Sequence, residues 1–328
     1  MNQVILRADG GHDIGLGHIY RLLAIGQILQ EQFECHFVSN HNLQFLKKEL
    51  GKHITPRHLP SEITLKKEAK YLSTLYSPSN TIFCMDGSHF NEDYQKKISR
   101  VGYKTIALDD IQQTSYRTDI VLNHCSIPNK ENKEFYEGCR VYDGSEFAIL
   151  RPIFLAHAKS NFKKPLLNNA FVCLGGADPL NKTTEVLIHL SKFEQINEIH
   201  IVIGAANRNA NNLEKEIRRS DKGVFIHQNI LGSEMLEIMN RCDIAITSPS
   251  TISYEYLCTR GTLFLYPYVD NQQNINNFLT TQGLALPFSN FHIPPTEERL
   301  LMIKRQEKAF DGNSDIRILK LFQSLANE

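Results

Sequence analysis

The chain has 328 residues, and its 36 Lys and Arg are balanced by 36 Asp and Glu. That length suits two domains of ordinary size, and the balance excludes a global electrostatic pull toward nucleic acid or an anionic membrane surface. Seven scattered cysteines without a C-x-x-C pair, and no apolar run near ~18 residues, predict free thiols in a reducing, cytoplasmic compartment and no membrane insertion. The first strand begins within a few residues of Met1, so no signal peptide is expected.

The chain opens with an apolar run, Val4-Ile5-Leu6. It leads into Arg7-Ala8-Asp9-Gly10-Gly11-His12-Asp13-Ile14-Gly15-Leu16-Gly17-His18-Ile19-Tyr20-Arg21. Ile19, Leu22, Leu23, Gly26 and Leu29 follow at helical spacing. This predicts a strand, a glycine-rich turn and a helix, with His18 at the helix start. Glycines let backbone approach a ligand closely, and a helix N-terminus offers unpaired N–H groups to an anion. A histidine there can be kept neutral by the helix dipole and work as a base near pH 7. Three readings of the stretch compete. His18 is only a first-turn polar residue; or the turn is a dinucleotide fingerprint, which the glycine spacing does not fit; or Gly15 and Gly17 make room for a substrate at which His18 points.

Further on, Cys35 to Val38 reads as a strand, Asn42 to Leu50 and Lys66 to Tyr76 as helices, and Thr81 to Met85 as a buried strand ending on Asp86. Tyr94 to Val101 is helical. Tyr103 to Leu108 and Ile120 to Leu122 are strands, ending on Asp109-Asp110 and Asn123. Alternating β and α segments predict a parallel sheet covered on both faces. Asp9, Asp86, Asp109, Asp110 and Asn123 all follow strand ends. Each alone reads as a helix cap or turn residue. As a set they mark the carboxyl edge where open α/β sheets bind ligands.

Residues 126–148 are less regular, and the polar stretch Lys159 to Lys164, closed by Pro165, predicts a domain boundary. The domains are then 1–160 and 166–328, with Lys163-Lys164 as a solvated linker. The βα alternation restarts with a strand at Ala170 to Leu174, the turn Gly175-Gly176-Ala177-Asp178-Pro179 and a helix from Asn181. It continues to a strand at Ile244 to Thr247, followed by Ser248-Pro249-Ser250-Thr251-Ile252-Ser253-Tyr254-Glu255. A helix starting at Ser250 or Thr251 could hold a diphosphate on its first N–H groups, and Glu255 could grip both hydroxyls of a ribose. The same residues also read as an ordinary helix cap, with Ser or Thr at the cap and Glu in the first turns. Thirteen histidines show no H-E-x-x-H and no close His/Cys ligand spacing, so neither a metal nor another cofactor is expected.

Arg7-Ala8-Asp9, then Ile14-Gly15-Leu16-Gly17-His18, then Arg21 resembles the N-terminal signature of PseG-type UDP-sugar hydrolases, relatives of the MurG-like glycosyltransferases. The likeness runs on through Asp86, Asp109-Asp110, Asn123, Leu150-Arg151, Gly175-Gly176, Ser248 to Glu255 and Asn271-Gln272, and covers nearly the whole chain. It implies an α/β, GT-B-like fold: two doubly wound Rossmann-like domains facing a central cleft, with the last helix, Ile316 to Leu325, crossing back to the first domain.

The implied reaction is hydrolysis of UDP-2,4-diacetamido-2,4,6-trideoxy-β-L-altropyranose to UDP and the free sugar, in pseudaminic acid biosynthesis, by C–O cleavage with inversion. The resemblance makes His18 the base. It puts Asp9, Gly15, Gly17, Arg21, Asp86, Asn271 and Gln272 on the sugar side, and Gly175, Gly176, Ile230, Ser250, Thr251 and Glu255 on UDP. Relatives often carry a tyrosine shortly after the Asp86 position; here the residues are Gly87-Ser88-His89-Phe90, and His89 can substitute.

One base suffices chemically. UDP leaves as a stable anion, so the protonation that a sugar alkoxide needs is dispensable. The rivals are a GT-B glycosyltransferase passing a UDP-sugar to an acceptor, and a non-catalytic nucleotide-sugar-binding protein. The expected partner is the small-molecule UDP-sugar alone, with a monomer as the default.

Overall fold

The computed structural model describes the chain except for residues 1, 11–15, 42–49, 51–52, 110–114, 126–133, 161, 177, 205–206 and 208. Gly15, Asp110 and nearly all of the helix expected over residues 42–50 lie outside the described residues. The chain divides into two compact units, Met1–Pro152 with Asn313–Glu328, and Ile153–Gly312. The boundary expected near residues 160–165 falls inside the second unit.

In the first unit the strands are β1 (Gln3–Ala8), β2 (Glu34–Ser39), β3 (Ile54–His58), β4 (Thr81–Asp86), β5 (Lys104–Leu108), β6 (Ile120–Asn123) and β7 (Arg140–Asp143). They form one parallel sheet in the order β3-β2-β1-β4-β5-β6-β7. Side chains alternate across it with the strand period of two. Val4, Leu6 and Ala8 of β1 share one face with Ile82 and Cys84 of β4. That face is covered by α1 (Gly17–Leu29) and by Ile318, Leu321, Phe322 and Leu325 of the C-terminal helix α11 (Ser314–Asn327). Ile5 and Phe83 turn to the other face, covered by Ala69 and Leu72 of α2 (Leu65–Ser73) and by Tyr94 and Ile98 of α3 (Glu92–Val101).

Two strands of this sheet, β3 and β7, carry no clear sequence signal. Both are edge strands, so neither needs a continuous apolar run. Pro56 is tolerated in β3 because an edge strand has one side without ladder bonds.

All but the first residue of α4 (Pro152–Ala158), which the sequence pattern does not reveal, belongs to the second unit. Its strands are β8 (Ala170–Cys173), β9 (Glu198–Ile203), β10 (Gly223–Gln228), β11 (Ile244–Thr247), β12 (Thr262–Leu265) and the two-residue β13 (Leu286–Pro287). Its helices are α5 (Lys182–Leu190), α6 (Ala210–Ile217), α7 (Gly232–Arg241), α8 (Thr251–Thr259), α9 (Gln273–Thr281) and α10 (Thr296–Ala309). The sheet is again parallel, in the order β10-β9-β8-β11-β12-β13. In each sheet the strand order reverses once, between β1 and β4 and between β8 and β11. Such a switch point opens a crevice at the carboxyl ends of the strands.

Lys164 is not a solvated linker residue. Its Nζ donates to the carbonyls of Met239 (2.7 Å) and Cys242 (2.9 Å) and to Thr259 Oγ1 (2.8 Å), and lies 4.3 Å from the centre of the Tyr256 ring. It therefore caps the C-terminal end of α7 and reaches the last residue of α8, where helix dipoles favour a cation. Burial pushes its ammonium pKa down to about 7. Lys163 beside it is exposed.

Candidate active site

At the first switch point the β1–β4 register sets Ala8 opposite Asp86. Asp86 follows Ile82 and Cys84 at even positions, so it emerges on the face that α1 covers. There it meets His18 and Arg21, three residues apart and so neighbours on one side of that helix. Asp86 Oδ1 lies 2.7 Å from His18 Nδ1, and Arg21 grips the same carboxylate with Nε to Oδ2 at 2.8 Å and Nη2 to Oδ1 at 2.7 Å. Nη2 also lies 2.7 Å from His18 Nδ1.

Asp86 is 1% exposed. Burial alone would raise its pKa, but Arg21 and His18 outweigh it and hold the carboxyl at about 2. An ionised carboxylate only accepts and a guanidinium only donates, so Nδ1 donates to Asp86 in one tautomer and accepts from Arg21 in the other; we take the first, in which Nδ1 carries the proton. The lone pair is then on Nε2, and the ring keeps 19% of its side-chain surface exposed. A buried carboxylate that fixes the tautomer of a half-accessible imidazole is the arrangement by which a histidine becomes a general base. Arg21 and Asp86, grouped with the sugar on sequence, thus both converge on His18.

A second polar cluster lies across the sheet. Arg7, fully buried, points with Ile5 to the face of α2 and α3. Its Nε donates to Glu68 Oε1 at 2.6 Å and its Nη1 to Asp9 Oδ1 at 2.7 Å, while Tyr94 Oη donates to Glu68 Oε1 at 2.8 Å. Asp9 also accepts from the backbone N–H of Asn40 (2.7 Å) and from Ser39 Oγ (3.2 Å), and meets His89 Nε2 at 3.0 Å. Burial opposes the charge on Asp9, but these donors hold its pKa far below the carboxylate range. Sequence reasoning gave Glu68 and Tyr94 no role. The one available signal was Arg7 itself, a charge inside an apolar strand that must find a buried partner.

Gly87, with φ of 151°, follows β4, and a Cβ there would sit 2.8 Å from the His89 ring. Gly17 opens α1, and a Cβ there would meet nothing within 4 Å.

At the second switch point two glycine- or serine-rich turns lead into helices, and they differ in charge. Asp178 occupies the start of α5, accepting from the N–H groups of Lys182 and Thr183, both at 2.8 Å. Gly176 serves close backbone packing. A Cβ on Gly204 would lie 2.7 Å from the Gly176 carbonyl oxygen. Gly175 takes a φ of 94°, a conformation that suits a residue without Cβ.

Helix α8 has no acidic residue in its first turn. Ser250 precedes it. Ser253 Oγ donates to the Ser248 carbonyl at 2.8 Å and lies 3.4 Å from the Ser250 N–H. The residue that reaches back to the cap is therefore Ser253. Glu255 sits in the second turn of α8 and is buried.

Ile230 follows Asn229, itself at positive φ, just past the end of β10. Asn271 is exposed in a short turn after β12. Gln272 is buried, and its Oε1 accepts from the Tyr268 N–H at 2.9 Å. All seven cysteines are free. Among the described residues no group of three or more His, Cys, Asp or Glu is placed to hold a metal ion, and no helix is long and apolar enough to cross a membrane.

No family model matches the chain. Among solved structures, the MurG of Acinetobacter baumannii superposes with a TM-score of 0.62 at 13% identity, covering 98% of this chain and 99% of that one. A UDP-glucosyltransferase from Polygonum tinctorium gives 0.64 at 11% identity, covering 100% and 99%. With two parallel α/β units, this makes the fold GT-B.

In sequence the chain is 23% identical to the spore coat polysaccharide biosynthesis protein SpsG of Bacillus subtilis, over 97% of both chains. It is 25% identical to the UDP-2,4-diacetamido-2,4,6-trideoxy-β-L-altropyranose hydrolase of Campylobacter jejuni, over 87% of this chain and 99% of that one. In sequence and fold the chain thus resembles the PseG/MurG-like proteins.

Proposed function

We propose that the protein hydrolyses a UDP-sugar, with UDP-2,4-diacetamido-2,4,6-trideoxy-β-L-altropyranose as the substrate to try first. The observation that carries the proposal is the His18–Asp86–Arg21 arrangement at the β1/β4 switch point. In this reading His18 Nε2 takes a proton from a water whose oxygen bonds to the anomeric carbon. The bond from that carbon to the UDP oxygen breaks with its electron pair, and UDP departs as an anion. The proton on Nε2 then passes to solvent. Asp86 stabilises the imidazolium formed in between, and Arg21 keeps Asp86 ionised and oriented.

The second unit would hold UDP at α8 and not at α5. A diphosphate at α5 would have to displace the Asp178 carboxylate, whereas α8 presents amides with no acidic side chain in its first turn. Glu255 is the proposed ribose ligand, and Ile230 the residue beside the uracil. Asn271 and Gln272 are proposed near the sugar or phosphate; the Gln272 side-chain oxygen is already engaged by Tyr268, which leaves its amide group for the ligand.

The test is an NMR time course with the UDP-linked diacetamido sugar in water, without acceptor or metal. The expected result is UDP together with the free sugar of inverted anomeric configuration. Binding without turnover would replace this reading with a glycosyltransferase that awaits an acceptor.

A further inference from the structure

The second unit holds a residue in a costly backbone conformation at the far end of α8. Arg260 ends that helix with a φ of 61°, where a residue with a Cβ is rarely found. Helices commonly end on a glycine at positive φ. Here the glycine comes one residue later, and space fixes it there. A Cβ at Gly261 would run into the Tyr256 hydroxyl and lie 3.0 Å from the Asp243 carbonyl oxygen. The positive φ therefore falls on an arginine, and such a conformation persists only where the surroundings hold it.

What holds Arg260 is its own side chain. Nη2 donates to the Ala158 carbonyl at 2.6 Å, and Nη1 to the carbonyls of Ser160 (3.3 Å) and Phe162 (3.4 Å). Nη1 also lies 3.6 Å from a carboxylate oxygen of Glu307 on α10. The guanidinium thus caps the C-terminal end of α4 and fastens the residues after it. Lys164, further along the same segment, donates to Thr259, the last residue of α8. The end of α8 is in this way tied twice to the segment that follows α4.

The chain enters the second unit through α4 and leaves it at Gly312. The two passages pack on each other. Gly312 takes a φ of 76°, and a Cβ there would lie 2.6 Å from the Leu155 carbonyl oxygen and 2.7 Å from Lys159 Cγ. Helix α8 has nine residues and is about 13 Å long. It carries the proposed diphosphate site at one end and the paired chain passages at the other.

We propose that Arg260 is a positioning residue that couples the two ends of α8: a nucleotide held at the start of the helix steadies the chain passages tied to its end. This rests on the reading that UDP binds at α8.

The experiment is hydrogen–deuterium exchange read by mass spectrometry on the full chain, with and without saturating UDP, in the native protein and in Arg260→Gly. Glycine accepts the backbone conformation and removes only the side-chain ties. Arg260→Asn, whose short side chain tolerates positive φ, controls for loosening by the glycine itself. In the native protein UDP should slow exchange at the start of α8 and also, by about fivefold, in peptides covering residues 153–162. In both variants the slowing at the start of α8 should remain and that at 153–162 should vanish. Coupling is reciprocal, so UDP affinity measured by calorimetry should change by no more than about the same fivefold. Equal slowing at 153–162 in native and variant proteins overturns the inference, as does slowing confined to α8 in the native protein; the UDP reading survives both results. UDP that fails to bind, or binds without slowing exchange at the start of α8, removes the UDP reading itself and this inference with it.

Discussion

Arg21 grips Asp86 with two prongs, Nε to one carboxylate oxygen and Nη2 to the other, and the oxygen shared with Nη2 is the one that faces His18 Nδ1. The histidine is therefore set by a carboxylate that is itself set by a guanidinium. The first prediction is that Asp86→Asn keeps the shape but loses control of the imidazole tautomer and of the imidazolium charge. Steady-state kinetics should show kcat reduced roughly 10²–10⁴-fold with KM changed much less. A KM effect with kcat intact would instead make Asp86 a sugar ligand.

Arg21→Lys provides the complementary case. A lysine keeps the charge but cannot make the two-pronged contact. Activity should fall roughly tenfold or more, and Arg21→Met should fall further, since it leaves Asp86 buried without its cation. Equal rates in Lys and native proteins would show that the fork geometry is not used.

The account also fixes a pH dependence. Only neutral His18 can take a proton, so kcat/KM should rise with pH as the imidazole loses its proton, then level off. Asp86 adds no limb in the working range because its carboxyl is held at about 2. That depressed pKa is also a stability statement. A carboxyl whose pKa is lower in the folded than in the unfolded protein stabilises the fold above the unfolded pKa. The contribution, roughly 2 kcal/mol, is lost as pH falls from about 4 toward 2. Denaturant unfolding of native and Asp86→Asn proteins at a series of pH values should show their difference shrinking over that window.

Helix α8 allows a test in which stability and binding move in opposite directions. Thr251→Asp puts a carboxylate in its first turn, where the helix dipole favours negative charge. The melting temperature should hold or rise slightly, while UDP affinity measured by calorimetry should drop tenfold or more through repulsion of the diphosphate. Undiminished affinity would move the nucleotide away from α8.

The buried Arg7–Glu68 pair predicts a large stability effect. Glu68→Gln leaves a buried guanidinium short of its partner and should cost about 3–5 kcal/mol in chemical denaturation. A loss below about 1 kcal/mol would mean that Asp9 alone suffices to hold Arg7.

The alternating β and α segments were legible because buried parallel strands such as Thr81–Met85 and Ile244–Thr247 are short apolar runs bounded by turn residues. Edge strands β3 and β7 were not, since a strand solvated on one side needs no such run. His18 stood out by its glycine turn. Its dependence on Asp86 did not, because that contact is made by strand register between segments far apart in sequence. Lys164 shows the same limit from the other side. Local grammar made it a linker lysine, and tertiary packing set it against two helix ends.

The most direct measurement of the central claim is isotopic. The protein is incubated with the UDP-linked diacetamido sugar in water enriched in oxygen-18, and both products are weighed by mass spectrometry. Attack of His18-activated water on the anomeric carbon predicts the label in the free sugar and none in UDP. Label in UDP would mean cleavage at phosphorus and would contradict the account, as would the absence of any free sugar.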